Sequence, residues 1–270
     1  MAQIITFGNF KGGVGKTANS TMASYRLANQ GKKTLLIDLD PQGNATNIFL
    51  KTKYNFGNDI DTFEKSLMTC IKEQNLDDAI INILPNLDLM ASAPDFALYP
   101  RYMEQVTDYT ARVKYLAKML EPIKERYDYI IIDVPPTISL ITDSALYASD
   151  YCIIVMQTHE HSLVGARAFL DYIQEEIVDT YHAPNLYVLG IIAVLMQAGA
   201  PVDEATVANA ELEFGKENIF DTMIHSMQRL KRYGLTGITE GTMHDNRVNE
   251  VYDNLIEEME NRIEVIENGE

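Results

Sequence analysis

The chain is short of cysteine, of positive charge and of long apolar runs, and each shortage closes off a class of protein. Its two cysteines, Cys70 and Cys152, form no C-x-x-C pair and sit in apolar or mixed surroundings. They read as unpaired core thiols in a reducing cytoplasm. Lys and Arg together number 22 against 39 Asp and Glu, giving a net charge of -17 over 270 residues. That balance argues against global electrostatic attraction to nucleic acid or anionic membrane and leaves room only for a local basic patch. The longest apolar run, 186–196, is too short to cross a bilayer as a helix and suits a buried strand. No basic stretch followed by an apolar core opens the chain, so no signal peptide is expected. Repeats, low-complexity segments and linkers are missing as well. The expectation is a single soluble domain over 1–270, long enough to bury a sizeable core.

What the chain does have is alternation. Short apolar strands are expected at 3–8, 33–38, 87–91, 129–133, 151–156, 186–194 and 219–224. Between them lie helical stripes: Tyr109, Val113, Leu116 and Leu120 form one, and Leu163, Ala166, Leu170, Ile173 and Ile177 another. Nearly continuous apolar strands alternating with amphipathic helices predict an α/β fold, a mostly parallel twisted sheet with helices on both faces. Ligands of such folds sit at the carboxyl ends of the strands.

Directly after the first expected strand comes Lys11-Gly12-Gly13-Val14-Gly15-Lys16-Thr17. The ordinary phosphate-binding loop reads G-x-x-x-x-G-K-[ST], and this stretch departs from it at Phe10, where the first glycine would stand. Three glycines in four residues still let successive backbone N–H groups turn inward around phosphate oxygens. Lys16 can neutralise the β- and γ-phosphates, and the Thr17 hydroxyl can ligate Mg²⁺. A helix over 16–29 would point its N-terminus at the same phosphates. Lys11 is a second lysine in a loop that ordinarily carries one.

Two strand tips carry carboxylates. The second strand runs into Asp38-Leu39-Asp40-Pro41-Gln42-Gly43-Asn44, which places Asp40 beside a Pro/Gly loop. Tyr129-Ile130-Ile131-Ile132-Asp133 is stopped by Pro135 and Pro136. Singly, a strand-terminal Asp is more often a turn or cap residue. Next to a phosphate loop, Asp40 and Asp133 become candidates for holding a water or a Mg²⁺-bound water. Asp38 is set aside as a supporting residue.

The loop K-G-G-V-G-K-T, the segment D-L-D-P-Q-G-N and the segment Y-D-Y-I-I-I-D-V-P-P together resemble the ParA/MinD family of P-loop ATPases with a deviant Walker A motif, over nearly the whole chain. They look most like ParA, the plasmid and chromosome partition ATPase, and the stretch from Gly237 to Glu240 with its acidic helix is similar to short plasmid ParA proteins of Gram-positive bacteria. With Met1 and Ala2 alone before the first strand, no N-terminal DNA-binding extension is expected. The resemblance implies a catalytic set of Lys11, Lys16 and Asp40. Lys11 would reach the partner subunit's nucleotide in an ATP-bound homodimer, and Asp40 would position the attacking water. Gly12, Gly13, Val14, Gly15, Lys16 and Thr17 would bind nucleotide, and Thr17, with Asp133 through water, would hold Mg²⁺. It also implies non-specific DNA binding, which would make the protein nucleoid-associated when ATP-bound. Its partner would be a centromere-binding adaptor of the ParB or small ribbon-helix-helix type, without membrane attachment. The DNA candidates are Arg229, Lys231 and Arg232, the densest basic cluster of the chain, with Arg247 joining them; otherwise they form a solvated helix face. The family's second hydroxyl after Thr17 is replaced by Ala18. The proline-containing segment that relatives place near the base is here Ile224-His225-Ser226-Met227, and base contacts are not assigned.

Three rival classes meet obstacles. A MinD-like membrane-positioning ATPase would want a basic amphipathic C-terminal helix. Here Val248, Tyr252, Leu255, Met259, Ile263 and Ile266 make a stripe hemmed in by carboxylates, which suits core packing instead. A redox ATPase like the nitrogenase iron protein needs thiolates between subunits, and Cys152 lies in an expected buried strand. A metabolic ligase such as dethiobiotin synthetase requires neither Lys11 nor the Asp-Pro-Gln-Gly-Asn segment. His159 and His161, flanking Glu160, suggest a metal but lack a further nearby ligand and read as a loop.

Overall fold

The computed structural model describes residues 2–57, 65–159, 161–197 and 199–269. Its strands are β1 (Gln3–Gly8), β2 (Thr34–Asp38), β3 (Ile80–Leu84), β4 (Leu87–Met90), β5 (Tyr129–Asp133), β6 (Tyr151–Gln157), β7 (Tyr187–Met196) and β8 (Ile224–His225). Its α-helices are α1 (Lys16–Asn29), α2 (Asn44–Asn55), α3 (Leu67–Glu73), α4 (Tyr99–Met103), α5 (Tyr109–Lys124), α6 (Leu140–Ala148), α7 (His161–Tyr172), α8 (Pro201–Phe214), α9 (Gln228–Thr236) and α10 (Met243–Asn268). A π-helical stretch, Ile173–Thr180, prolongs α7.

The eight strands form one sheet in the order β3-β4-β2-β5-β1-β6-β7-β8. All pairings are parallel except β3 with β4. β1 lies between β5 and β6 at the point where the strand order reverses, and the loop leaving it opens into the crevice at the carboxyl end of the sheet. Strand alternation distributes the core to two sides. Ile5, Phe7 and Ile131 face one layer with Met22, Tyr25, Phe49, Tyr252 and Leu255 from α1, α2 and α10. Ile4, Ile130 and Ile132 face the other with Leu67, Phe96, Val113 and Leu140 from α3 to α6 and the turn before α4. Both sides are dry, which is why the strands read as uninterrupted apolar runs.

Four expectations need correction. β3 has no counterpart in the expected strands: it is a short edge strand, half exposed at Asn82, and it folds back antiparallel on β4 through Pro85 and Asn86, the latter at φ 62°. The last strand is Ile224–His225 rather than 219–224, and Ile219 contributes a single bridge to Ile191. Tyr109 is exposed instead of lying in its stripe, with its hydroxyl on Asp143 at 2.9 Å. On α7 Ala166 is buried as the stripe requires, but Phe169, outside the expected stripe, is fully buried beside it, while Leu163 and Leu170 are only partly covered.

The C-terminal stripe packs inward: Val248, Tyr252, Leu255, Met259 and Ile263 are all buried in α10. Among the described residues no helix is long and apolar enough to cross a membrane.

Candidate nucleotide site

Phe10, the departure in the loop, is an anchor. Its ring sits edge-on to Phe169 and Tyr172 at centroid distances of 4.8 and 5.0 Å, which fastens the loop's entrance to α7. Gly8 allows that packing, since a Cβ there would stand 2.4 Å from the Phe169 ring. Asn9 adds a second fastening: Nδ2 donates to Val155 O at 2.8 Å, and Oδ1 accepts from Lys11 N at 2.9 Å. Within the loop, Gly13 and Gly15 take φ of 76° and 95°, conformations that are strained for any residue with a Cβ. The exit is held from the far side of the core. Asn19 Nδ2 donates to Gly15 O at 2.8 Å, and Asn19 Oδ1 accepts from the Tyr252 hydroxyl of α10 at 3.0 Å.

Lys16 is buried, and its ammonium donates to the loop's own Lys11 O at 3.1 Å. Burial pushes its pKa down, while the negative charges of Asp133 and Asp40 oppose that shift. Thr17 Oγ1 donates to Asp133 Oδ2 at 2.8 Å, and Ser20 Oγ donates to Asp133 Oδ1 at 3.0 Å. Both oxygens of Asp133 are thus turned onto the first turn and a half of α1. Burial drives the Asp133 carboxyl above its ordinary range, helped by the Asp38 charge across the β2–β5 pairing and opposed by the two hydroxyls. Asp38, set aside in the sequence, braces the loop after β2. It accepts from Thr46 N and Oγ1, both at 2.8 Å, and from Asp40 N at 3.1 Å. Asp40 accepts from Gln42 N at 2.9 Å and lines the crevice.

The crevice is a groove of about 1100 Å³ running from Gly13, Lys16 and Thr17 past Asp40 and Pro136 to Leu230, Lys231 and Tyr233 of α9. Lys11 is not on its walls. The Lys11 ammonium lies 2.6 Å from His159 Nε2, on the loop after β6. The two lysines, five positions apart in sequence, therefore point to different places.

For Mg²⁺, the donor set is a hydroxyl and a carboxylate already joined. Thr17 donates its hydroxyl hydrogen bond to Asp133 and keeps its lone pairs free for a cation. Among the described residues no group of three or more His, Cys, Asp or Glu could hold a metal by itself. A cation here needs phosphate oxygens and water for its remaining positions, as Mg²⁺ at nucleotide sites does.

The basic cluster divides. Arg229 lines the same groove as the others but is already paired: Nε and Nη2 make a bidentate pair with Asp245 at 2.6 and 3.1 Å. Asp245 is fully buried and also accepts from Tyr233 at 2.6 Å and from Thr242 Oγ1 at 2.7 Å. Burial alone would raise its pKa, yet the hydrogen bonds from Arg229, Tyr233 and Thr242 hold it well below the usual carboxylate range. Lys231, Arg232 and Arg247 remain exposed. They share a second groove of about 770 Å³ with His225, Ser226, Met227 and His244.

Sequence reasoning missed Asp245, although Thr242-Met243-His244-Asp245 is a capping-box pattern and forms one at the start of α10. It also missed Ser20, Asn19 and Tyr252, whose partners lie far away in the chain. Glu160 lies outside the described residues, as does the side chain of His161. Cys70 and Cys152 are both free and buried.

A parallel sheet with a glycine loop, a buried lysine and a hydroxyl–carboxylate pair at its switch point defines a P-loop nucleotide-binding α/β protein. The AAA domain family matches residues 2–187. The chain is 32% identical over 236 residues to the sporulation initiation inhibitor protein Soj of Bacillus subtilis, covering 85% of this chain and 87% of Soj. It is 30% identical over 236 residues to the chromosome partitioning protein ParA of Myxococcus xanthus, covering 85% and 77%. The ATP complex of Cyanothece McdA superimposes with a TM-score of 0.78 at 21% identity, over 98% of this chain and 96% of that one. The chain belongs to the ParA/MinD family of P-loop ATPases, and it is of the ParA type.

Proposed function

We propose that the protein is a Mg²⁺-dependent partition ATPase that segregates DNA by cycling between an ATP-bound dimer and a released monomer. The observation that carries this reading is the divergence of the two loop lysines. Lys16 lies in the cradle, where it would neutralise the chain's own nucleotide, whereas Lys11 points away from the crevice, its ammonium on His159, and would leave that contact to reach a second subunit's nucleotide. Two ATP molecules facing one another would repel, and a lysine supplied in trans offsets that charge as an arginine finger does.

The other roles follow from the contacts. The backbone N–H groups of Gly12 to Gly15 cradle phosphate oxygens. Thr17 and, through water, Asp133 would hold Mg²⁺, with Asp133 accepting the Thr17 hydroxyl hydrogen bond that orients its lone pairs. Asp40, held by the Gln42 N–H, has a carboxylate oxygen left to orient the attacking water. Its loop and the Pro135–Pro136 loop serve as switches that the γ-phosphate orders. Lys231, Arg232 and Arg247 would contact DNA phosphates without reading bases, which needs only a few positive charges. A basic tail on a centromere-binding adaptor would suit the -17 chain electrostatically. A membrane-bound MinD-like role is disfavoured because the α10 stripe is already buried.

Light scattering of Asp40→Ala with and without ATP tests the cycle. A variant unable to hydrolyse should accumulate as an ATP dimer, and a monomer under both conditions would contradict the mechanism. Lys11→Gln should retain some ATP binding while losing the dimer and turnover.

A further inference from the structure

Gly12, Gly13 and Gly15 give the cradle a great deal of backbone freedom to lose, so it has to be ordered by its surroundings. Phe10 and Asn9 order its entrance. Its exit is Gly15, which stands at the N-cap of α1 with φ 95° and has no side chain to offer the first-turn N–H groups. Those groups stay free for an anion, and the fastening is made at the Gly15 carbonyl instead. Gly15 O accepts from Asn19 N at 3.0 Å and from Asn19 Nδ2 at 2.8 Å. Because a peptide unit is planar and trans, fixing Gly15 O along α1 fixes Lys16 N–H in the opposite direction, out of the helix end towards the crevice.

The Asn19 carboxamide has one orientation available. A carbonyl only accepts, so the NH₂ faces Gly15 O, Oδ1 faces Tyr252, and the Tyr252 hydroxyl donates across 3.0 Å. Asn19 is 2% exposed and Tyr252 0%, so neither can exchange its partner for water. The next residue of α10 fixes that helix in register with α1: Asp253 accepts from Arg26 Nε and Nη2 at 2.8 and 2.9 Å. Tyr252 lines neither groove, and its route to the cradle runs through Asn19.

We propose that Tyr252 is a positioning residue for the phosphate loop: from the C-terminal helix, through Asn19, its hydroxyl steadies the Gly15–Lys16 peptide and so sets the affinity for the nucleotide's phosphates. This rests on the loop as the phosphate cradle and is independent of the trans role of Lys11. A comparison is built into the same helix. Tyr129 donates to Glu260 of α10 at 2.9 Å, but it opens β5, at the amino end of the sheet, away from the crevice.

The test is titration calorimetry with ADP and Mg²⁺ on a double-mutant cycle of Asn19 and Tyr252. Tyr252→Phe removes only the hydroxyl and should weaken ADP binding about fivefold, the scale of one neutral hydrogen bond. Asn19→Ala releases both links and should weaken it at least as much. In the Asn19→Ala background, Tyr252→Phe should have no further effect. Tyr129→Phe removes a tyrosine hydrogen bond to the same helix and should leave ADP affinity at the parental value, at a comparable cost in Tm. Scanning calorimetry confirms that each variant is folded at the titration temperature. Tyr252→Phe is nearly isosteric, and its comparison with Tyr129→Phe decides the matter even if Asn19→Ala fails to fold. Parental affinity in Tyr252→Phe, an equal loss in Tyr129→Phe, or a Tyr252→Phe effect undiminished by Asn19→Ala would each overturn the proposal. A folded parent that binds no ADP would remove the cradle reading and this inference together.

Discussion

The phosphate loop and the basic cluster of α9 are both short runs dense in one kind of chemistry, and the structure treats them in opposite ways. In the loop, Gly13, Gly15, Lys16 and Thr17 line the crevice. In Gln228-Arg229-Leu230-Lys231-Arg232-Tyr233 the first arginine is drawn into the protein by Asp245, and Tyr233 goes with it. A glycine loop determines its own shape, whereas the direction of an arginine on a nine-residue helix depends on what packs beside it. Density of charge in sequence is therefore weaker evidence for a surface than density of glycine is for a cradle.

Removing the cradle lysine should produce the largest effect. Lys16→Ala takes away a buried ammonium that faces phosphate charge, and nucleotide affinity should fall by about 100-fold or more, read by titration calorimetry. Lys231→Glu should leave it within a fewfold despite bordering the same groove. If both variants bound alike, the division between cradle and cluster would collapse.

Arg229 and its neighbours sharpen the contrast. Arg229→Ala strands the buried Asp245 carboxylate and should cost about 3 kcal/mol, the lower end for breaking a buried pair because the Arg229 side chain is 20% exposed. That corresponds to a fall in Tm of roughly 6–12 °C. Lys231→Ala and Arg232→Ala should each stay within about 0.5 kcal/mol, as surface changes do. Scanning calorimetry of the three distinguishes a structural arginine from surface cations.

Acid sensitivity follows from the same carboxylate. Because the folded Asp245 pKa lies below its unfolded value of about 3.9, its stabilisation is complete above that pH and declines as pH falls through it. The stability gap between wild type and Asp245→Asn should hold constant from about pH 7 to 5 and narrow below about pH 4, in urea melts at stepped pH.

The smallest effect concerns salt. Each reversal among Lys231, Arg232 and Arg247 should reduce the slope of log binding constant against log salt by about 0.9 or more, with no change in preference between DNA sequences. Sedimentation with plasmid and with unrelated linear DNA would show it, and an unchanged slope in the triple variant would place DNA elsewhere.

The layered parallel sheet was legible because strands covered on both faces are apolar throughout; β3 was not, being a five-residue edge strand with Asn82 exposed at its centre and closed by a tight Pro85–Asn86 turn. Asp40 and Asp133 were legible as strand tips next to prolines. Asp38 was visible but ambiguous, since nothing in sequence distinguishes a carboxylate that faces a ligand from one that accepts Thr46.

The sequence by itself determined the cradle, because three glycines, Lys16 and Thr17 lie in one contiguous stretch whose backbone geometry is local. Tertiary structure decided everything that depends on a distant partner: the Tyr252–Asn19–Gly15 chain of hydrogen bonds, the capture of Arg229 by Asp245, and the placing of Lys11 against His159. Hydrogen bonds between side chains hundreds or tens of positions apart leave no local period or spacing to read. Only the packing of β6, α9 and α10 around the loop brings those atoms within reach.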